Sequence, residues 1–234
     1  MNAYSFSLLI ATVLCAGAAF GNSFAVIDDL TREYYEDDRL NGVVLVADKG
    51  KVIYKKAFGM ANREWEIPNE TNTKFRIGSI TKQFTAAIIL QLVAEGVLSL
   101  DDPIMKHLPF YRKDTGSKIT IRHLLAHTSG LPNYTADKRF GEGVIRDPYA
   151  MEPFSKEFCS GDLEFEPGTK MRYSNSGYYL LGVIIEYATE YTYVEQLQNR
   201  ILKPLDMNDT GYDDYESLLP RRAAGYRKQY DYFV

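Results

Sequence analysis

The sequence predicts an α+β fold: a β-hairpin near the N-terminus, helices through most of the chain, and a strand-like stretch at the C-terminal end. Gly42-Val-Val-Leu-Val-Ala47 and Val52-Ile-Tyr-Lys-Lys-Ala-Phe58 are β-branched and aromatic runs joined by the turn sequence Asp48-Lys49-Gly50-Lys51, which reads as a hairpin. From Ser79 onward the apolar residues recur at helical spacing. Tyr226-Arg-Lys-Gln-Tyr-Asp-Tyr-Phe-Val234 is aromatic and strand-like again.

Taken in order, residues 1–21 read as a signal peptide. Leu8 to Phe20 is an apolar run, and Ala19-Phe20-Gly21 offers small residues for cleavage. The run is shorter than the roughly 20 residues that a membrane span needs, although no Lys or Arg precedes it. An uncleaved anchor or a buried N-terminal helix is the alternative. Cleavage removes Cys15, places the product outside the cytoplasm (secreted or periplasmic) and leaves residues 22–234 as one domain without a stable membrane span. Cys159 then stands alone. Its neighbours Glu157 and Asp162 are expected to raise its pKa, so it reads as structural.

Asp28 to Asp38 reads as a helix with Ile27, Leu30 and Tyr34 on one face, ahead of the hairpin. Ser79 to Glu95 is helical and apolar on nearly every side, hence a core helix, ended by Gly96. Asp101-Asp102-Pro103 is expected to open a short helix, with Asp as cap and Pro in the first turn. Thr120 caps Ile121 to His127, which Ser129-Gly130 and Pro132 stop. Ser176 to Glu190 and Tyr193 to Leu202 complete the helices. A lone hairpin is marginal and exposes its edges, yet nothing between Phe58 and Arg222 clearly supplies a partner strand. The final run reads as a strand cut off as it begins, so a truncated chain is expected.

Charge narrows the function. Lys and Arg total 27 against 31 Asp and Glu, a net charge of −4, so no basic excess exists to hold a phosphate backbone and nucleic acid is not expected as a partner. No C-x-x-C or H-E-x-x-H spacing offers a metal site, and no cofactor is expected.

The chemistry concentrates at Gly78-Ser79-Ile80-Thr81-Lys82. Ser79 and Lys82, three apart at a helix start, lie on one face. Backbone N–H groups there favour developing negative charge. A serine hydroxyl needs a base to become nucleophilic, and a lysine can serve if its surroundings lower its pKa. Alone, S-x-x-K more often marks a cap and a solvated lysine. Tyr173-Ser174-Asn175 adds a phenol able to carry a proton beside a cation and an amide able to bind a carbonyl. Taken by itself, that segment reads better as a packed Tyr and an Asn helix cap.

Together the two segments resemble the penicillin-recognising serine hydrolases, in the branch of class C β-lactamases, D-alanyl-D-alanine carboxypeptidases and related esterases, for whose relatives S-x-x-K is a known signature. The likeness extends through Phe75 to Phe84, Gly96 to Ile104, Ile119-Thr-Ile-Arg-His-Leu-Leu-Ala-His-Thr-Ser-Gly-Leu-Pro132, Glu166 to Gly182 and Leu202 to Thr210. It implies a β-lactamase/transpeptidase-like fold, with the hairpin and helical region present and the C-terminal strands missing. It implies Ser79 as acylating nucleophile, Lys82 as its proton partner, Tyr173 as proton shuttle and Asn175 as the grip on a substrate side-chain amide. The Ser79 N–H would be one oxyanion donor. The substrate would be a β-lactam, a D-alanyl peptide or an ester.

Members of that family also carry K-[ST]-G or H-x-G on a later strand, as a second oxyanion donor. No such triplet follows Asn175, and His127 is the last histidine. The expectation is therefore an acyl-transfer hydrolase in the full-length product and little activity in these 234 residues. The alternative is a penicillin-binding or sensor module that is acylated without turnover. Asp114-Thr115-Gly116 and Asp209-Thr210-Gly211 spell the aspartic-protease triplet, but both read as polar turns. His127 reads as a helix C-terminal residue favoured by the dipole, not as the partner of Ser129 or Ser176.

Overall fold

The computed structural model describes residues 23–140, 149–214, 217–226, 228–229 and 232–233; the expected signal peptide and Cys15 lie outside them. The chain divides into one unit of residues 1–75 with 219–234 and another of residues 76–218.

In the first unit, helix α1 (Ser23–Glu36) lies against a hairpin of β1 (Gly42–Asp48) and β2 (Lys51–Phe58). The expected helix start was Asp28, but that carboxylate caps nothing. It accepts from Tyr54 Oη at 3.0 Å and Lys56 Nζ at 2.8 Å, so apolar Phe24 to Val26 join the helix and Phe24 packs on Tyr54. Burial opposes ionisation of an acid, yet the Lys56 and Tyr54 bonds hold the Asp28 carboxyl below its usual range. Strands β1 and β2 pair antiparallel, with an irregularity at Val46/Ala47, and turn at Lys49 and Gly50 with positive φ. β3 (Met60–Asn62) pairs with β4 (Ile67–Pro68). Gly59 between β2 and β3 has φ +70°, and a Cβ there would lie 2.0 Å from Asn41 Oδ1.

Among the described residues β1–β2 takes no third strand. The C-terminal run is not a single strand, as its sequence suggested. Tyr226 bonds the Arg63 N–H at 2.7 Å and also the Glu64 carboxylate, while β5 (Lys228–Gln229) and β6 (Tyr232–Phe233) pair with each other. The hairpin and the helical region that the resemblance implies are both present.

The second unit is helical. α6 (Asn175–Thr189) buries Leu180, Leu181, Ile184 and Ile185 against Ile88, Ile89 and Leu92 of α2 (Thr81–Ala94) and Ile121 and Leu124 of α4 (Ile121–Leu125). Not all of α2 is core: Leu90 is half exposed. Thr120 caps α4 as expected, accepting the His123 N–H while His123 Nδ1 accepts the Thr120 N–H. That helix stops at Leu125, short of His127. Asp101-Asp102-Pro103 opens only a 3₁₀ turn, Ile104–Lys106, with Pro103 outside it. Asp102 instead accepts from the Ser99 N–H, Lys106 and His107. Tyr193 to Leu202 is not one helix: α7 (Tyr193–Leu197) passes into a wider turn, Gln198–Leu202, in which the Lys203 N–H reaches back five residues to Gln198 O. The sequence reading also missed α5 (Met151–Phe158), whose Phe154 packs 4.5 Å from Tyr179.

The first Asp-Thr-Gly triplet is no polar turn. It lies in the four-residue α3 (Lys113–Gly116) with Thr115 and Gly116 buried, while Asp114 pairs with Arg112. Cys159 is buried, and burial pushes its thiol up to about 12. Desolvation is the cause, rather than the acidic neighbours. Among the described residues no helix is long and apolar enough to cross a membrane.

Candidate active site

All four residues singled out from the sequence meet in the helical unit. Ser79 stands in a 3₁₀ turn, Gly78–Ile80, closed by the Ile80 N–H on Ile77 O at 3.1 Å. Gly78 enters it with φ +52°, a conformation that costs glycine little. The serine therefore precedes α2 instead of opening it, and Lys82 follows one turn later with its Nζ 3.2 Å from Ser79 Oγ. Ser79 is exposed and Lys82 half-buried.

The second segment arrives as an extended stretch running into α6. Tyr173 Oη lies 2.6 Å from Ser79 Oγ. The Lys82 ammonium donates to Asn175 Oδ1 at 2.7 Å, and Tyr173 Oη lies 3.2 Å from the same oxygen. Lys82 Nζ also sits 5.0 Å from the centre of the Tyr173 ring. Partial burial works to raise the phenol's pKa, but bonding to Lys82 and Ser79 and the lysine charge outweigh it, so the phenol lies below its usual range. Hydroxyl, ammonium, phenol and amide thus form one closed set of hydrogen bonds.

Asn175 is the first residue of α6 and not its cap. Its N–H donates to Asn133 Oδ1 at 3.0 Å, and its Nδ2 donates to the same oxygen and to Thr135 Oγ1, each at 3.2 Å. Because Asn133 Oδ1 already accepts a backbone N–H, the Asn175 amide hydrogens must face it and the carbonyl must face Lys82. The resemblance implied a grip on a substrate amide; here both amide hydrogens have partners within the chain. Neither Asn133 nor Thr135 was singled out from the sequence. The signal available was a polar Asn directly after Leu131-Pro132, beside the chain reversal at Gly130.

His127 was placed differently as well. It lies beyond α4 with φ +57°, its Nδ1 accepts the Ser174 N–H at 3.3 Å, and its ring packs 4.6 Å from that of Tyr173. Burial first, then the nearby Lys82 charge, push its pKa down. A helix-dipole role would need the opposite shift.

Comparison with known proteins bears on the family and the fold. The family model described as Beta-lactamase matches residues 27–233. Penicillin-binding protein 4* of Bacillus subtilis (strain 168) is 35% identical over 202 residues, covering 85% of this chain and 44% of that protein. A penicillin-binding protein structure from Bacillus halodurans superposes with TM-score 0.75 at 31% identity, over 87% of this chain and 64% of its own. A class C β-lactamase in complex with cefoxitin gives TM-score 0.75 at 25% identity, over 90% and 56%. The chain spans less than half the length of curated relatives that it matches.

Proposed function

Because this chain belongs to the Beta-lactamase family, we propose that Ser79 attacks an acyl substrate to form an acyl-serine, which water then releases. The observation that carries this is the 2.6 Å contact between Ser79 Oγ and Tyr173 Oη, with Lys82 reaching the serine at 3.2 Å. Tyr173 in its phenolate form, which Lys82 favours, takes the serine proton as the oxygen attacks and becomes a neutral phenol, while negative charge moves to the substrate's carbonyl oxygen. The proton then passes to the leaving group. In deacylation the regenerated phenolate takes a proton from water as the water oxygen attacks the acyl carbon, and returns it to Ser79 Oγ as the ester bond breaks. Asn175 holds Lys82 in place, and the Ser79 N–H stabilises the oxyanion.

Penicillin-binding names among the relatives favour D-alanyl peptides and β-lactams as the substrate class, with small esters passing through the same intermediate. Residues 1–21 would direct the protein out of the cytoplasm. With no K-[ST]-G or H-x-G triplet after Asn175, a second oxyanion donor of that kind is not supplied, a loss of roughly 10²–10³ in rate. These 234 residues alone should acylate slowly.

Labelling with a fluorescent penicillin and with a fluorescent alkyl phosphonate, followed by intact mass, tests the reading. One adduct on Ser79, abolished in Ser79→Ala, supports it. Loss of the penicilloyl mass within minutes marks a hydrolase, whereas persistence for hours marks a module acylated without turnover. An adduct that survives in Ser79→Ala, or none with either probe, overturns it.

A further inference from the structure

We propose that His127 is a positioning residue for Tyr173, holding the phenol at hydrogen-bond distance from Ser79 by gripping the peptide groups on both sides of it and stacking on its ring. The inference rests on the reading of Tyr173 as proton carrier. Residues 172–174 belong to no helix or strand, so neither ladder fixes the tyrosine. Two hydrogen bonds from one residue do. The His127 carbonyl accepts the Arg172 N–H at 2.8 Å, and its Nδ1 accepts the Ser174 N–H at 3.3 Å. Its ring lies 4.6 Å from Tyr173 and 5.0 Å from Tyr178, tilted 34° from each. The left-handed backbone of His127 suits His, Asn and Asp better than branched residues.

Since Nδ1 accepts, the ring proton of neutral His127 sits on Nε2. The charged and titratable groups that face the ring are Lys82 from α2, Tyr173 from the extended segment and Tyr178 from α6. Protonation would turn Nδ1 from acceptor to donor opposite the Ser174 N–H. It would also set a second cation near Lys82. The grip on Tyr173 should therefore loosen as the pH falls through the His127 pKa, which burial and Lys82 place below that of a free histidine.

Two measurements test this on the full chain. The first needs no activity: the Tyr173 ¹³Cζ resonance, identified by its loss in Tyr173→Phe, is followed with the His127 ring signals through acid pH. A Tyr173 shift with the His127 midpoint is expected, and a Tyr173 signal that stays still while His127 titrates overturns the proposal. The second is the rate of phosphonate labelling at Ser79. His127→Phe keeps an aromatic ring but leaves the Ser174 N–H unpaired, so the rate should fall about tenfold and its acid limb should disappear. His127→Asn restores an acceptor in a backbone conformation that Asn tolerates, and should recover the rate to within about threefold. Wild-type rates and pH profile in His127→Phe would overturn the proposal. Failure of the unchanged chain to label would instead count against the acyl-serine reading, with the resonance experiment still deciding on His127.

Discussion

Replacing Asn175 by Leu keeps the side chain's size but removes both polar atoms of the amide, Oδ1 from the centre of the site and Nδ2 from Asn133 and Thr135. Its Oδ1 accepts the Lys82 ammonium at 2.7 Å and lies 3.2 Å from Tyr173 Oη. A bond to a charged group is worth about 1.5–3 kcal/mol and a neutral one about 1 kcal/mol. Lys82 is only half-buried, so water compensates part of the loss and the lower end applies. Roughly 2 kcal/mol of positioning, at 1.4 kcal/mol per factor of ten, predicts labelling of Ser79 slowed about 30-fold. The assay is the second-order rate constant for a small alkyl phosphonate, measured beside that for a penicillin. A phosphonate has no side-chain amide, so both probes should slow alike if Asn175 acts on Lys82. An unchanged phosphonate rate with a slowed penicillin rate would refute the reasoning and return Asn175 to a grip on substrate.

Two further outcomes concern stability. Gly130 has φ +77°, and a Cβ there would lie 2.2 Å from the Phe165 carbonyl oxygen; backbone atoms cannot step aside, so Gly130→Ala should lower unfolding free energy in urea by more than about 2 kcal/mol. Asp102 is desolvated, but its bonds from Lys106, His107 and the Ser99 N–H outweigh burial and hold its carboxyl down to about 2. With the folded pKa below the unfolded one, its contribution is full above about pH 4 and is lost as pH falls from there through 2. The stability gap between the unchanged chain and Asp102→Asn should close over that window, and a gap constant from pH 7 to pH 2 would count against the assignment.

The four candidate residues were legible because their spacing is short and their chemistry specific. Ser79 and Lys82 sit one turn apart, and Tyr173 and Asn175 belong to one tripeptide. What supports them was not, because contacts between Asn133 and Asn175 or His127 and Tyr173 join positions more than 40 residues apart and leave no local pattern. His127 misled because α4 ends two residues early, so a position that looked like a helix terminus is a left-handed turn. Helix α5 holds Pro153 in its first turn, where a proline is tolerated, and the spacing of Phe154 and Phe158 was the available clue to it. Asp101 and Asp102 looked like caps, but the Asp102 carboxylate serves the Ser99 N–H, Lys106 and His107 and not the start of a helix.

The serine and its phenol stand 94 residues apart along the chain. On the acyl-serine reading proposed above, a polypeptide emerging from the ribosome carries an inert hydroxyl until the segment ahead of α6 has docked. On that reading tertiary closure switches reactivity on, and a covalent probe doubles as a gauge of how many molecules have finished folding.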